Sequence, residues 1–412
     1  MFAAVFILLF VLIAIALRRM ASVVIPIWAI MAAGAIAAIL FQQITPLHAL
    51  KAIEPEVMFY LFGIFFISQA AEESGYLGHL TDKIFYYTHT GKQALLMIVF
   101  ILGPGAALIM NDTIAIIGTP IILQLCKSHK NLIRPLLFAL AFSITIGSAL
   151  SPIGNPQNLL IAIKGEMISP FVVFIKYLTI PTVLNLAVTY LFIYLIYRDR
   201  LNISIEKPIP SPISDSQTVK LVKISLIMMV ILVSIKIVMD FLHAKIQINF
   251  SYIALLSALP ILLSNQRWIF IKKLDWGTLV FFASTFILMQ SVWDSGFFQA
   301  NMSHFHISVT HIAVILLISI ILSQFISNVP LVALYLPLLM HHSHSNLSLL
   351  SLAVGSTIAG NVSIVGAASN IIIIQNSEKR GIMGFGFFEF IKIGVPLTII
   401  NLLIYASFLQ GD

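Results

Sequence analysis

The sequence predicts an all-α polytopic membrane protein of two inverted five-span repeats, each containing a re-entrant hairpin and a broken helix. Three observations lead to this fold class. Of the 412 residues, 59% are hydrophobic and only 9% are charged, which excludes a water-soluble fold. Apolar runs of about 20 residues, long enough to span a bilayer as a helix, alternate with short polar loops. Finally, polar residues inside the apolar runs recur with matching spacing in the two halves.

Ten apolar runs predict ten membrane crossings. The first run, residues 2–17, is interpreted as a retained span because no small-residue cleavage pattern follows it. The predicted spans are residues 2–17, 21–40, 55–72, 135–163, 170–197, 219–241, 250–264, 276–293, 347–374 and 387–409.

Basic residues give the spans a direction. The net charge of +7 comes from residues beside apolar runs, for example Arg18, Lys272 and Lys379, which is typical of cytoplasmic loops and not of a nucleic-acid-binding surface. Both termini are then expected outside, and residues 201–218 form a cytoplasmic linker. The first repeat covers residues 1–200 and the second covers residues 219–412. Membrane lipid is the expected surrounding partner, and nucleic acid is excluded.

Two apolar stretches, residues 93–126 and 307–340, are too long for one helix and have a polar centre. Each predicts a re-entrant hairpin. Lysines flank the first stretch, whereas the histidines around His304 and His341 flank the second, so the first should enter from the cytoplasm and the second from outside. We interpret the histidines as loop residues and not as a metal or pH-sensing cluster.

The halves correspond further along the chain. The spacing from Asn111 to Pro120 equals that from Asn328 to Pro337, and residues 151–158 align with residues 363–370. Paired broken helices place a binding site near the bilayer midplane, because their ends present unpaired N–H and C=O groups. The predicted broken helices are residues 135–163 and 347–374.

At these residues the sequence resembles the ion transporter superfamily, which includes divalent anion:sodium symporters, citrate transporters, arsenite permeases and NhaD-type sodium/proton antiporters. Residues 154–158 reproduce the Gly-x-Pro-x-Asn element of that superfamily, and residues 366–370 reproduce it without the proline. At the second hairpin tip, Ser327 and Asn328 keep two residues of the Ser-Asn-Thr motif of dicarboxylate members. The resemblance covers nearly the whole chain. It implies alternating access by an elevator-like movement, and a homodimer.

The first hairpin tip departs from the dicarboxylate pattern, because Met110 and Asp112 stand in place of the serine and threonine. A dicarboxylate is therefore disfavoured as substrate. We expect a secondary active transporter that moves a small inorganic or organic anion across the bacterial inner (plasma) membrane, coupled to sodium or protons. The acid at the tip resembles arsenite permeases and related antiporters, so the alternative is a sodium/proton antiporter or an arsenite-type efflux permease.

Enzymatic activity is not expected. The sequence has no Ser-His-Asp order, no nucleotide-binding glycine loop and no HExxH motif. Cys126 is the only cysteine, which excludes an intramolecular disulfide and a cysteine-rich metal site. We expect no cofactor other than a coupling sodium ion or proton, and no bound metal centre.

Asp112 is the strongest single candidate, because an ionisable side chain at membrane depth costs about 2.5–3.5 kcal/mol on insertion scales. It is either a proton or cation site or a cap of the helix that follows it. Amides such as Asn158 and Asn370 could bind ion and substrate, or could satisfy backbone groups freed at the helix breaks. The predicted binding residues are Asn111, Asp112, Thr113, Gly154, Asn155, Pro156, Asn158, Ser327, Asn328, Gly366, Ser369 and Asn370.

The predicted topology can be tested by labelling single cysteines placed in a Cys126→Ala background. Cysteines at Asn202 and Lys379 should react with a membrane-impermeant thiol reagent from the cytoplasmic side, and one at Ser343 from the outer side. Labelling of Asn202 and Ser343 from the same side would contradict the inverted repeat.

Overall fold

The computed structural model describes residues 2–17, 25–86, 88–205, 213–242, 248–297, 310–326, 328–341, 345–378, 380–382 and 384–410. Regular structure in this part of the chain is helical, apart from one isolated bridge between Thr90 and Ser204. The prediction of an all-α protein is therefore confirmed. Ser327, a predicted site residue, lies outside the described residues. So do the labelling positions Ser343 and Lys379, the flanking residue His304, and residues 206–212 of the predicted linker.

The first half of the chain is a series of helices interrupted by one π-helical segment, Ile98–Leu102, and one 3-10 turn, Lys130–Leu132. The helices are α1 (Phe2–Leu17), α2 (Ile27–Leu40), α3 (Pro46–Ala52), α4 (Pro55–Glu73), α5 (Tyr76–Phe85), α6 (Gly91–Met97), α7 (Gly103–Ile109), α8 (Asn111–Leu125), α9 (Ile133–Ser148), α10 (Pro156–Lys164), α11 (Pro170–Ile196) and α12 (Arg198–Leu201).

The second half is built in the same way, with two 3-10 turns, Ala359–Asn361 and Ile364–Gly366. Its helices are α13 (Ser216–Phe241), α14 (Phe250–Leu262), α15 (Arg267–Lys273), α16 (Trp276–Asp294), α17 (Ile312–Ile326), α18 (Asn328–His341), α19 (Asn346–Ile358), α20 (Ala368–Glu378) and α21 (Phe387–Leu409).

Among the described residues, six helical segments are long and apolar enough to cross a membrane. Several shorter apolar helices accompany them, including the helix after the first predicted hairpin tip and the helices on either side of the second. The chain is thus a multi-pass membrane protein. The six segments are Gly91–Ile109, Lys130–Ser148, Pro170–Ile196, Ser216–Phe241, Trp276–Asp294 and Phe387–Leu409.

Some helix bounds differ from the predicted spans. Helix α2 begins at Ile27, and the preceding residues 18–24 are outside the described part. Helix α20 continues to Glu378, beyond the predicted end at residue 374. The short helices α3, α5 and α15 were not predicted, because a search for apolar runs of about 20 residues does not detect helices of 7 to 10 residues.

Local geometry recurs at corresponding positions of the two halves. Helices α4 and α16 are each followed by a serine and a glycine with positive φ, 74° at Gly75 and 70° at Gly296. Ser74 Oγ donates to the carbonyl three residues before it at 3.1 Å, and Ser295 Oγ does the same at 2.6 Å. The predicted internal repeat would produce this recurrence, and the repeat itself stays a prediction. The opposite orientation of the repeats across the membrane stays a prediction.

Helices α11 and α21 pack together through polar residues that are buried. Asn401 Nδ2 donates to Asn185 Oδ1 at 2.8 Å, and both side chains are fully buried. Three residues before each asparagine is a buried threonine, and Thr182 shares a 2.8 Å hydrogen bond with the Tyr405 hydroxyl. Interhelical hydrogen bonds in membranes average about 0.6 kcal/mol. This contact joins residues of the two halves that the predicted repeat would pair.

A very close backbone approach fixes the helix that leads to the first hairpin tip. A Cβ atom added to Gly147 of α9 would lie 2.0 Å from the carbonyl oxygen of Gly103 in α7. No side chain fits at that distance, so α7 and α9 are packed backbone to backbone. Movement of either helix would be transmitted to the other.

We expect Gly147→Ala to lower the melting temperature of the detergent-solubilised protein by several degrees, because overpacking costs about 1–3 kcal/mol. Gly386→Ala is the matched control, since no atom lies within 4 Å of a Cβ at that position. Equal melting temperatures for the two variants would contradict the close packing.

Candidate functional site

A cavity of about 830 Å³ lies between the two halves of the protein. Five predicted site residues line it: Asn111, Asp112, Thr113, Pro156 and Asn328. The cavity therefore brings together both hairpin tips and the start of the helix after the first break. The other polar residues on its wall are Ser68, Gln69, Glu72, Gln157, Asp275, Thr278, Gln324, Gln375 and Glu378.

The first hairpin tip is built around an unusual backbone conformation. Met110, between α7 and α8, has φ 69° and ψ 147°, a region that non-glycine residues rarely adopt and that costs on the order of 1–3 kcal/mol. Its side chain is fully buried in the core. The Asn111 N–H then donates to the Gly154 carbonyl at 3.0 Å, which ties the tip to the break after α9.

Asp112 is the second residue of α8 and is buried, with 7% of its surface exposed. Its backbone N–H donates to the Asn111 side chain at 3.0 Å. The Asp112 carboxylate accepts no hydrogen bond from the described backbone N–H groups of the first turn of α8, so the capping alternative is not supported. Within the described part of the chain, no donor makes a hydrogen bond to the Asp112 carboxylate, which lies on the cavity wall. The carboxylate is free to meet a cation or a proton.

The tip is also attached to the neighbouring helix α4. The hydroxyl groups of Ser68 and Thr113 are 3.2 Å apart and share a hydrogen bond. Both residues line the cavity on the same side as Asp112. This bond orients the first turn of α8 relative to α4.

Carboxylates dominate the charge of the cavity. Four acidic residues, Glu72, Asp112, Asp275 and Glu378, are on its wall. No lysine, arginine or histidine is found among the described residues that line it. A cavity lined by one sign of charge concentrates ions of the opposite sign, so this cavity favours cations.

A hydrogen-bond network crosses from the first break to α19 in the second half. Asn155 Nδ2 donates to Thr357 Oγ1 at 3.0 Å and Gln157 Nε2 does so at 3.4 Å, while Thr357 Oγ1 donates to Asn158 Oδ1 at 3.2 Å. All four residues are buried. The two halves are thereby joined beside the cavity.

Asn158 and Asn370 occupy equivalent positions at the two breaks. Asn158 Nδ2 donates to the carbonyls 10 and 7 residues before it, at 3.3 and 3.1 Å. Asn370 Nδ2 donates to the carbonyls 10 and 7 residues before it, at 2.7 and 3.4 Å. Both side chains are fully buried and neither is on the cavity wall. The structure thus places these amides on backbone groups that the breaks set free.

The glycines of the two breaks allow the chain to turn back on itself. A Cβ atom on Gly154 would be 2.1 Å from the Ser148 carbonyl oxygen, and one on Gly366 would be 2.8 Å from that of Ala359. Both positions require glycine for this close approach. Gly154, Gly366, Asn155 and Ser369 are not on the cavity wall. They affect the cavity only through the neighbouring segments that they position.

The second tip and the second break have buried polar atoms without a hydrogen-bond partner in the described part of the chain. They include the side-chain oxygens of Asn328, Asn361, Ser369 and Asn370. Such oxygens suit a coordinating sodium ion or an ordered water molecule, since an unpaired buried oxygen is otherwise unfavourable. Among the described residues, no group of three His, Cys, Asp or Glu side chains could hold a metal ion.

Several cavity residues were not predicted. Asp275 is the N-cap residue of α16 and Glu378 ends α20, and an acidic residue at a helix end is common and gives no signal of its own. Gln157 and Gln324 had a signal, because each is an amide inside an apolar run next to a predicted site residue or tip. Gln324 Nε2 donates to the Ala359 carbonyl at 2.8 Å and orders the second break.

The chain is similar to one protein family and to several known proteins over most of its length. Residues 7–349 match the citrate transporter family. The chain is 22% identical to a 46 kDa membrane protein of Mycobacterium leprae, over 87% of this chain and 86% of that one. It is 22% identical to a silicon efflux transporter of Oryza sativa subsp. japonica over 89% of each chain. A Dictyostelium discoideum protein named arsB is 21% identical, over 90% of this chain and 85% of its own.

Among solved structures, that of the Alcanivorax borkumensis YdaH transporter resembles this chain. The match covers 98% of this chain and 96% of the other, with 13% sequence identity and a TM-score of 0.49.

We expect Asn158→Ala and Asn370→Ala each to lower both thermal stability and transport, because each removes the two hydrogen bonds that the amide donates to buried carbonyls, at about 0.5–1.5 kcal/mol per bond. Asn346→Ala is the control, since Asn346 is exposed at the start of α19. Unchanged melting temperatures in both site variants would contradict this structural role.

Proposed function

The chain belongs to the citrate transporter family, within the ion transporter superfamily, and from that premise we propose that it is a secondary active transporter driven by protons or sodium ions through Asp112. Membership of a transporter family also makes the chain a transporter and not an enzyme. The observation that carries the proposal is a buried carboxylate on the cavity wall to which no described residue donates a hydrogen bond.

An unpaired buried carboxylate is unfavourable unless its charge is met. Asp112 is in the first turn of α8, where the helix dipole offsets only part of that charge. A proton or a sodium ion would complete the neutralisation. Binding and release of that ion on opposite sides of the membrane would couple the ion gradient to solute movement.

The charge of the cavity supports a restriction on the solute. The carboxylates of Asp112, Asp275 and Glu378, with no basic residue among the described residues that line the wall, would repel a free anion. We therefore favour a solute that is uncharged or cationic in the cavity over an anion that enters alone. Amides such as Gln157, Gln324 and Gln375 could bind hydroxyl groups of an uncharged solute.

This reasoning gives weight to the second of the two functions expected from the sequence, an efflux permease or a sodium/proton antiporter. Two similar proteins bear the names silicon efflux transporter and arsB. A citrate-type anion stays compatible with the cavity if cations or protons enter with it and neutralise its charge.

The proposed movement is an elevator-like displacement of the hairpins and breaks relative to the remaining spans. The 3.0 Å hydrogen bond from Asn111 to Gly154 and the close packing of Gly103 on Gly147 support one moving unit on the first-half side. We propose that the protein acts as a homodimer in the inner membrane of a bacterium.

We expect Asp112→Asn to remove the dependence of transport on the ion gradient while the protein stays folded, because asparagine keeps the shape but not the charge. Purified protein in vesicles would be tested with arsenite, silicic acid, citrate and sodium under imposed proton or sodium gradients. Asp199→Asn is the control, since Asp199 is exposed and away from the cavity. Unchanged gradient dependence in Asp112→Asn would exclude Asp112 from coupling.

A further inference from the structure

A second cavity, of about 510 Å³, shares no lining residue with the acidic one and has the opposite charge. It is formed by three separate segments of the chain. Its walls are Lys130, Asn131, Ile133, Arg134, Arg200, Gly381 and Ile382. We call it the basic pocket.

The basic pocket is at one end of three candidate membrane spans. Lys130 begins the span Lys130–Ser148, Arg200 follows the span Pro170–Ile196 by four residues, and Gly381 precedes the span Phe387–Leu409. The ends of spans lie at the boundary between lipid and water. The basic residues predict that this boundary is the cytoplasmic one.

Helix α12, which carries Arg200, is firmly positioned. Leu201 is fully buried beneath it. The chain that follows is bonded to the segment before α6, with Gly91 N–H donating to Ile203 O at 3.1 Å and Ile205 N–H donating to His89 O at 2.9 Å. The backbone at Arg200 is thus held in position on the wall of the pocket.

The basic pocket has an excess of positive charge. Lys130, Arg134 and Arg200 are all exposed. Arg134 Nη1 is 3.8 Å from Glu389 Oε2, whereas neither Lys130 nor Arg200 forms an ion pair with a described residue. Gly381 has φ +70°, and no atom lies within 4 Å of where its Cβ would be, so this side of the pocket is open. An anion can reach the unpaired charges.

We propose that the basic pocket binds the phosphate group of an anionic phospholipid. Lysine and arginine are the side chains that bind phosphate, and basic pockets between spans on the cytoplasmic side suit lipid headgroups. Exposed apolar side chains on the adjoining spans, Ile196 at 46% and Phe388 at 83% exposed, offer contacts for acyl chains. A phosphate dissolved in water would gain nothing from these apolar contacts, which favours the lipid.

Binding can be measured by native mass spectrometry of the intact protein in detergent, titrated with phosphatidylglycerol or phosphatidylcholine. The test variant is Lys130→Gln/Arg200→Gln. The control variant is Lys220→Gln/Lys272→Gln, which removes the same charge from two exposed lysines outside the pocket. Size-exclusion profiles and melting temperatures would verify that both variants are folded, so a loss of binding is not a loss of structure.

We expect the wild type and the control to prefer phosphatidylglycerol, and the test variant to bind it about thirtyfold more weakly, since each of the two basic residues near a membrane surface contributes about 1 kcal/mol. Inorganic phosphate should not displace the lipid. Equal affinity for the two lipids, equal loss in both variants, or displacement by inorganic phosphate would overturn the proposal. Transport by Asp112→Asn is a separate measurement, so either proposal can fail alone.

Discussion

Backbone groups that leave a helix inside a membrane must find hydrogen-bond partners within the protein, because lipid offers none. The two breaks of this chain meet that requirement with the same device: the Nδ2 atoms of Asn158 and Asn370 each donate to carbonyls 10 and 7 residues earlier. The glycines at the breaks let those carbonyls come within reach. These irregular segments can lie beside the cavity because the backbone carbonyls that they expose accept hydrogen bonds from the two asparagines.

The same constraint connects the breaks to Asp112, the proposed ion-binding residue. The Asn111 N–H, which would otherwise be unpaired at the start of α8, donates to the carbonyl of Gly154 and so fixes the position of the neighbouring Asp112. Thr357 connects the first break to the other half through Asn155, Gln157 and Asn158. A carboxylate without a donor can therefore be kept in a well-defined place, which a mobile loop could not achieve.

Composition and spacing were enough to predict the helical membrane fold, and the pairing of Asn111 with Asn328 predicted the two tips that the cavity brings together. They could not decide between the two roles of Asn158, because a ligand and a backbone donor have the same amide. Composition and spacing also did not predict that Asp275 and Glu378 line the cavity, since these residues come from helix ends far apart in the chain. The acidic character of the site depends on tertiary contacts that a single sequence does not encode as a local pattern.

The contact between Asn185 and Asn401 has a consequence for the symmetry of the molecule. Two facing amides share one hydrogen bond, so one must donate and the other must accept, and in this structure Asn401 donates. Asn185 Nδ2 and Asn401 Oδ1 are left without partners among the described residues. Rotation of both amide planes by half a turn would exchange donor and acceptor and would regenerate an equivalent bond. The two halves of the chain thus meet at a junction whose donor and acceptor can be exchanged without separating the helices.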